Sequence, residues 1–368
     1  MAFHPPLRDD LRGDAPYGAP QIDVPHLMNV NENPFPPSPE FIAHLQEAVG
    51  RAATGLNRYP DREFLDLRAR LGAYLAADAD LPAPIPAEQM WVANGSNEIM
   101  QQVFTAFGGP GRRALAFAPH YSMYPEYARN TLTEFVTEER GSAPGFELTD
   151  QMVLAGIERH DPTIVLLTSP NNPTGTALSL DLVRTAARTL EERGAILVVD
   201  EAYAEFRHAG VPSALSVLDE HPNLIVSRTM AKAFALAGAR VGYMAAPRPL
   251  VDAVRVVRLP YHLSAIAQAV AHAALDFTDE LLGSVAFLRQ QRDELAAFLT
   301  GRGHDVAQSD SNFILFGTFA DRRAVFEALL QRGVLIREVG PDGWLRVSVG
   351  SAEDNQAFRT ALEEIDPA

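Results

Sequence analysis

The sequence holds 30 arginines and a single lysine, Lys232. Wherever a cation alone is wanted this chain uses arginine, so position 232 marks a place that needs other chemistry. A guanidinium stays protonated and is no nucleophile, whereas an amine can lose its proton and condense with a carbonyl. The plainer reading is a bias towards arginine that leaves one lysine over. Lys232 lies in Ser227-Arg228-Thr229-Met230-Ala231-Lys232-Ala233-Phe234, and burial in such apolar company favours the neutral amine. Thr229 stands three residues before it and Arg240 eight after it. A hydroxyl and a planar guanidinium suit a phosphate.

Three more loops carry suggestive residue types. Gly95-Ser96-Asn97 follows the apolar run 90–92 and opens a helix. Its free N–H groups and the helix dipole favour an anion, although an ordinary capped helix reads the same. Ser169-Pro170-Asn171-Asn172-Pro173-Thr174-Gly175 is either a rigid polar turn or a loop that offers the Asn172 amide as a donor. Asp200-Glu201-Ala202-Tyr203 follows the apolar run 195–199. Asp200 is a helix N-cap or, if buried, a carboxylate in need of a cation. Taken together, these loops supply a cation for a phosphate, an anion for a protonated ring nitrogen, donors for a phenolic oxygen and an amine for an aldehyde. Those are the electronic demands of pyridoxal 5′-phosphate.

Elements must bring these loops together. The runs 114–118, 163–168, 195–199 and 224–227 are short and apolar throughout, as buried strands of a mainly parallel sheet are. Helical patterns lie between them, such as 179–193 with Ser179 as N-cap. Alternating strand and helix predicts an α/β domain with helices on both faces. Its ligands sit at the carboxyl ends of the strands, where these loops are. After Pro260, residues 264–300 read as helical, 312–316, 334–336 and 345–349 as strands, and 352–365 as a closing helix. We expect an N-terminal arm over 1–28, a large domain over 45–258, and a smaller α+β domain made of 29–44 with 259–368.

Composition narrows the field. The net charge of −16 disfavours nucleic acid and anionic membrane surfaces as partners. With no cysteine there is no disulfide, thiolate catalysis or Cys-ligated zinc, and no metal site is expected. Residues 1–6 lack a charged start followed by an apolar run, and no stretch has the length of a membrane span, so a cytoplasmic protein is expected.

The order Asn172, Asp200, Lys232, Arg240 resembles the fold-type I pyridoxal-phosphate aminotransferases. Five other segments are similar to the histidinol-phosphate aminotransferase branch. They are Asn31-Glu32-Asn33-Pro34-Phe35, Asn57-Arg58-Tyr59-Pro60, Arg258-Leu259-Pro260-Tyr261-His262-Leu263-Ser264 and Val334-Leu335-Ile336-Arg337 with Leu345-Arg346-Val347. The resemblance implies that Lys232 carries the cofactor and moves the proton, that Asp200 pairs with the ring nitrogen, and that Tyr121 stacks on the ring. It implies that Asn172 and Tyr203 contact the ring oxygen, while Gly95, Ser96, Asn97, Thr229 and Arg240 hold the phosphate. Tyr59 is then expected in the neighbouring subunit's phosphate site, which implies a homodimer. Arg346 takes the anionic end of the substrate, and Tyr17, Asn33 and Arg337 lie near it. The implied substrates are L-histidinol phosphate and 2-oxoglutarate or glutamate, exchanging an amino group through a pyridoxamine phosphate form of the cofactor.

One departure is Ala231, where the family usually has a serine that binds the phosphate. Its loss removes a hydrogen bond to an ion, typically about 1.5–3 kcal/mol. The alternatives within the same fold are an aromatic amino-acid aminotransferase and, in another chemical class, a decarboxylase of phosphorylated amino acids.

Overall fold

The apolar runs become the middle of a seven-stranded sheet in the computed structural model, which describes residues 3, 5–13 and 15–366. Residues 1, 2, 4 and 14 of the expected arm lie outside the described residues. In chain order the strands are β1 (His26–Leu27), β2 (Met90–Ala93), β3 (Arg113–Ala118), β4 (Glu134–Glu139), β5 (Ile164–Thr168) and β6 (Ile196–Asp200). There follow β7 (Leu224–Thr229), β8 (Gly242–Ala245), β9 (Asp305–Val306), β10 (Phe313–Gly317), β11 (Val334–Leu335) and β12 (Leu345–Ser348). The large sheet has the order β2-β8-β7-β6-β5-β3-β4. Its strands run parallel except β8, which is antiparallel to both neighbours. Strands β5, β6 and β7 are buried at every position, as the unbroken apolar runs require. Strand β4 was not among the expected strands. Its sequence, Glu-Phe-Val-Thr-Glu-Glu, is polar because it forms an edge with no fully buried residue.

The helices are α1 (Pro39–Ala53), α2 (Leu65–Asp78), α3 (Ser96–Phe107), α4 (Tyr124–Asn130), α5 (Asp150–His160), α6 (Leu180–Glu192), α7 (Arg248–Val257) and α8 (Ala265–Asp276). They continue with α9 (Thr278–Leu281), α10 (Val285–Gly301), α11 (Arg322–Gln331) and α12 (Ala352–Ile365). The Ser179 hydroxyl caps α6 by accepting from Leu182 N, and α12 starts with a capping box between Ser351 and Asp354. None of the described helices is long and apolar enough to cross a membrane.

A second, smaller layer follows. Strands β12, β10 and β9 form an antiparallel sheet, and β1 pairs in parallel with β11. These strands, with α10, α11 and α12, enclose a separate core around Ile314, Phe316, Leu335, Val347 and Phe358. The expected boundaries at 44/45 and 258/259 cut through the larger core. Phe41 and Ala48 of α1 and Ala267, Val270 and Ala271 of α8 pack into it with the sheet residues. The reason is pairwise: α1 and α8 bury their apolar faces against one another and against the large sheet, although neither is contiguous with it in sequence.

Candidate active site

Parallel strands end on the same edge, and here the ends of β5, β6 and β7 lie side by side. Thr168 pairs with Asp200 and Asp200 with Ser227. The loops that follow carry Asn172, Tyr203 and Lys232 around one cavity of about 650 Å³, the size of a cofactor pocket. Asp200 lies at its floor. Its Oδ2 accepts from the Tyr124 hydroxyl (3.0 Å), which is 2.8 Å from Thr168 Oγ1, and its Oδ1 accepts from Ala202 N (3.2 Å). No cation pairs with Asp200 among the described residues, and burial lifts its pKa to about 6. Lys232 is also buried; its Nζ donates to the Val30 carbonyl (2.8 Å). Burial and then the nearby Arg346 lower its pKa to about 8, which leaves a sizeable neutral fraction near neutral pH.

The end of β2 reaches the same cavity by a local device. Strand β8 lies between β2 and β7, with Gly242 opposite both Ala93 and Thr229. A Cβ at Gly242 would meet Ser96 N at 2.1 Å, so only glycine lets the start of α3 come this close. Gly95, at φ +86°, lies behind Arg240; a Cβ there would stand 2.5 Å from Arg240 Nη2. The first N–H groups of α3, those of Ser96 and Asn97, have no intrahelical acceptor, and both residues line the cavity with Arg240. Ser96, Asn97, Thr229, Ala231 and Arg240 all line it. The Thr229 hydroxyl donates to Val241 O (3.2 Å) and accepts from Ala231 N (3.1 Å).

At the opposite side the smaller sheet delivers two arginines. Arg337 and Arg346 exchange backbone hydrogen bonds, and both line the cavity. Arg346 is buried, donating to Asn172 Oδ1 (2.5 Å) and Asn29 O (2.8 Å). Arg337 Nη1 is buried with no protein partner, a donor available to an anion. Tyr17 and Tyr121 line the same cavity, and the Tyr17 hydroxyl lies 2.6 Å from Ser122 Oγ.

Three expected residues do not line the cavity: Gly95, which lies behind Arg240, Asn33 and Tyr59. Asn33 donates to Ala233 O (3.1 Å) and Ser284 Oγ (2.9 Å), so it ties the N-terminal segment to the loop after Lys232. Tyr59 is 78% exposed and stacks on Tyr261 with ring centroids 4.3 Å apart. Residues the sequence reading missed are Tyr124, behind Asp200, and Asn31 with Ser348, behind Tyr203. A second tyrosine three positions after Tyr121 is the one local signal for Tyr124.

The arrangement suits an anionic aromatic cofactor with an aldehyde. Polar groups of Ser96, Asn97, Thr229 and Arg240, the buried acid Asp200 with no cation beside it and the buried amine of Lys232 line one cavity. Arg337 and Arg346 add two further cations to its lining. Comparison with known proteins agrees with this. The model of the family described as aminotransferase class I and II matches residues 26–365. A histidinol-phosphate aminotransferase of Thermobifida fusca is 56% identical over 97% of this chain and 94% of its own length. Histidinol-phosphate aminotransferase 3 of Burkholderia lata is 52% identical over 98% of this chain and 95% of its own. The crystal structure of histidinol-phosphate aminotransferase from Sinorhizobium meliloti, in complex with pyridoxal-5′-phosphate, has a TM-score of 0.79. It covers 93% of this chain and 91% of its own at 24% identity.

Proposed function

The chain belongs to the aminotransferase class I and II family, and from that premise we infer that it is a histidinol-phosphate aminotransferase. It transfers an amino group reversibly between L-histidinol phosphate and 2-oxoglutarate, a step of L-histidine biosynthesis. The fold is the fold-type I arrangement. The observation that carries the reading is the cavity in which the chain's one lysine, an acid without a cation and the Arg240–α3 corner face one another.

Pyridoxal phosphate supplies an aldehyde that takes up amines and a ring that withdraws electrons from the adjacent bond. In this proposal the N–H groups of Ser96 and Asn97 and the Arg240 guanidinium would hold its phosphate, and the Thr229 hydroxyl would join them by giving up its bond to Val241 O. Asp200 would keep the ring nitrogen protonated, Asn172 and Tyr203 would donate to the ring oxygen, and Tyr121 would lie against the ring. Lys232 Nζ would be the amine that holds the aldehyde end of the cofactor and the base that takes and returns the proton of the reacting carbon. Arg346 and Arg337, with Tyr17, bind the anionic end of either substrate, so one cluster serves both half-reactions.

A second copy of the chain belongs to the same proposal. Val256, Leu259, Leu56 and Tyr59 are large apolar groups left exposed on one face, joined by the Tyr59–Tyr261 stack and by Arg255 and Arg258 on Glu63. A patch of this kind marks an interface. Sedimentation of the purified protein is expected to give twice the chain mass.

The test of function uses protein loaded with pyridoxal phosphate and no keto acid. Adding L-histidinol phosphate is expected to bleach the visible band of the bound cofactor, and adding 2-oxoglutarate to restore it. An unchanged spectrum with L-histidinol phosphate but a bleached one with phenylalanine would reject the named substrate in favour of an aromatic amino acid.

A further inference from the structure

Tyr203 sits at the cavity wall with its ring edge-on to Phe313 and its hydroxyl oxygen accepting two hydrogen bonds. One comes from Asn31 Nδ2 (3.0 Å) and one from Asn172 Nδ2 (3.3 Å). A phenol oxygen has one proton to give and two lone pairs to fill. Both lone pairs are engaged here, and among the described residues no protein acceptor lies within reach of the proton. The remaining direction is the cavity that Tyr203 lines.

The direction of each incoming bond is set from behind. Asn172 turns its oxygen to Arg346 Nη1 (2.5 Å), and a guanidinium only donates, so the Asn172 nitrogen must face Tyr203. Asn31 is held by Ser348, whose hydroxyl accepts from Asn31 N (2.9 Å) and donates to Asn31 Oδ1 (2.8 Å). The Asn31 nitrogen is then left for Tyr203. Asn31 stands at φ +57°, a left-handed backbone that asparagine adopts more readily than most residues. Ser348 lies two residues after Arg346 on β12, on the same face of the strand. The strand that presents the substrate arginine therefore also orients Asn31.

We propose that Asn31, locked by Ser348, is a positioning residue that turns the Tyr203 proton into the cavity and so commits Tyr203 to donate to the ring oxygen of the cofactor. The proposal rests on the reading of the cavity as a pyridoxal-phosphate site. A hydrogen bond to the charged form of a group favours that form, so the device lowers the pH at which the bound cofactor gives up its proton.

The test is a pH titration of the visible absorbance of the loaded protein without substrate. Asn31→Asp keeps the size and the bond to Ser348 but replaces the donor with an acceptor, so the Tyr203 proton turns away from the cavity. The titration midpoint is expected to rise by about one pH unit, a tenfold change in proton affinity. Asn31→Ala, which adds no charge, is expected to raise it less. In a Tyr203→Phe background most of either rise should vanish, because the effect passes through the hydroxyl. Ser348→Ala, a milder change, should give a partial rise that vanishes in the same background. It carries the test if the Asn31 variants fail to load. Equal shifts with and without the Tyr203 hydroxyl, or an unmoved midpoint in all three variants, overturn the proposal. Wild-type protein that develops no visible band with pyridoxal phosphate overturns the cofactor reading instead.

Discussion

Replacing Gly95 by alanine isolates the phosphate corner from the rest of the site. The new methyl would lie 2.5 Å from Arg240 Nη2 and 3.2 Å from its Cζ, well inside contact distance. Either the guanidinium moves or the turn does. Gly95 has φ +86° and ψ 163°, a region that essentially only glycine occupies, so the turn is additionally strained by about 1–3 kcal/mol. Arg240 is the softer element, since among the described residues its head is held by one bond, Nη1 to Ala237 O (3.0 Å). Displacing it forfeits a charged hydrogen bond to the phosphate, about 1.5–3 kcal/mol, which is roughly 10- to 150-fold in affinity. The assay is equilibrium binding of pyridoxal phosphate and of pyridoxal, which lacks the phosphate, to cofactor-free protein. Gly95→Ala should weaken the first by that factor and leave the second nearly unchanged. In an Arg240→Ala background it should add little, because both changes remove the same contact. Equal weakening of both ligands would refute the reasoning, since the damage would then lie outside the phosphate corner.

Asp200→Asn tests the buried acid. With a folded pKa of about 6 against 3.8, the folded chain holds the extra proton between those values, so stability falls as pH rises through that window and stays lowered above it. The loss is up to about 3 kcal/mol; the variant should therefore raise the urea midpoint of cofactor-free protein near neutral pH while weakening pyridoxal phosphate, and a lowered midpoint refutes this. Ala231→Ser returns a hydroxyl to a residue that lines the phosphate corner. It is expected to tighten pyridoxal phosphate about tenfold, and an unchanged dissociation constant counts against it. Arg228→Met removes a fully buried cation from Glu201 (2.8 Å), Asp78 (2.9 Å) and Glu205 (3.2 Å). Stranding those carboxylates should cost about 3–5 kcal/mol in urea unfolding, and a loss below about 1 kcal/mol would show that they reprotonate or find other partners.

The residues proposed to meet the cofactor are legible in the sequence for a physical reason. Asp200 ends a strand that is otherwise apolar and buried at every position, so it breaks an apolar run, while Asn172 and Lys232 lie in the loops that directly follow two other fully buried strands. Chemistry also restricts their types, and a lone lysine among 30 arginines shows that restriction without any structure. The residues behind them leave no such mark. Tyr124 reaches Asp200 across 76 positions and Asn31 reaches Tyr203 across 172, and neither interrupts a local pattern. The packing of α1 on α8 is hidden for the same reason: each is an ordinary helix, and only their mutual burial assigns both to the larger core. Strand β8 is hidden differently, being four residues long and antiparallel in a sheet whose apolar runs predict parallel neighbours. Yet β8 supplies Gly242, which allows the start of α3 to approach Thr229. A ligand thus dictates the identity of the atoms that touch it. The fold dictates which way those atoms point, through contacts that many residue types could make. Orienting groups such as Asn31, Ser348 and Tyr124 are therefore found only once distances are known.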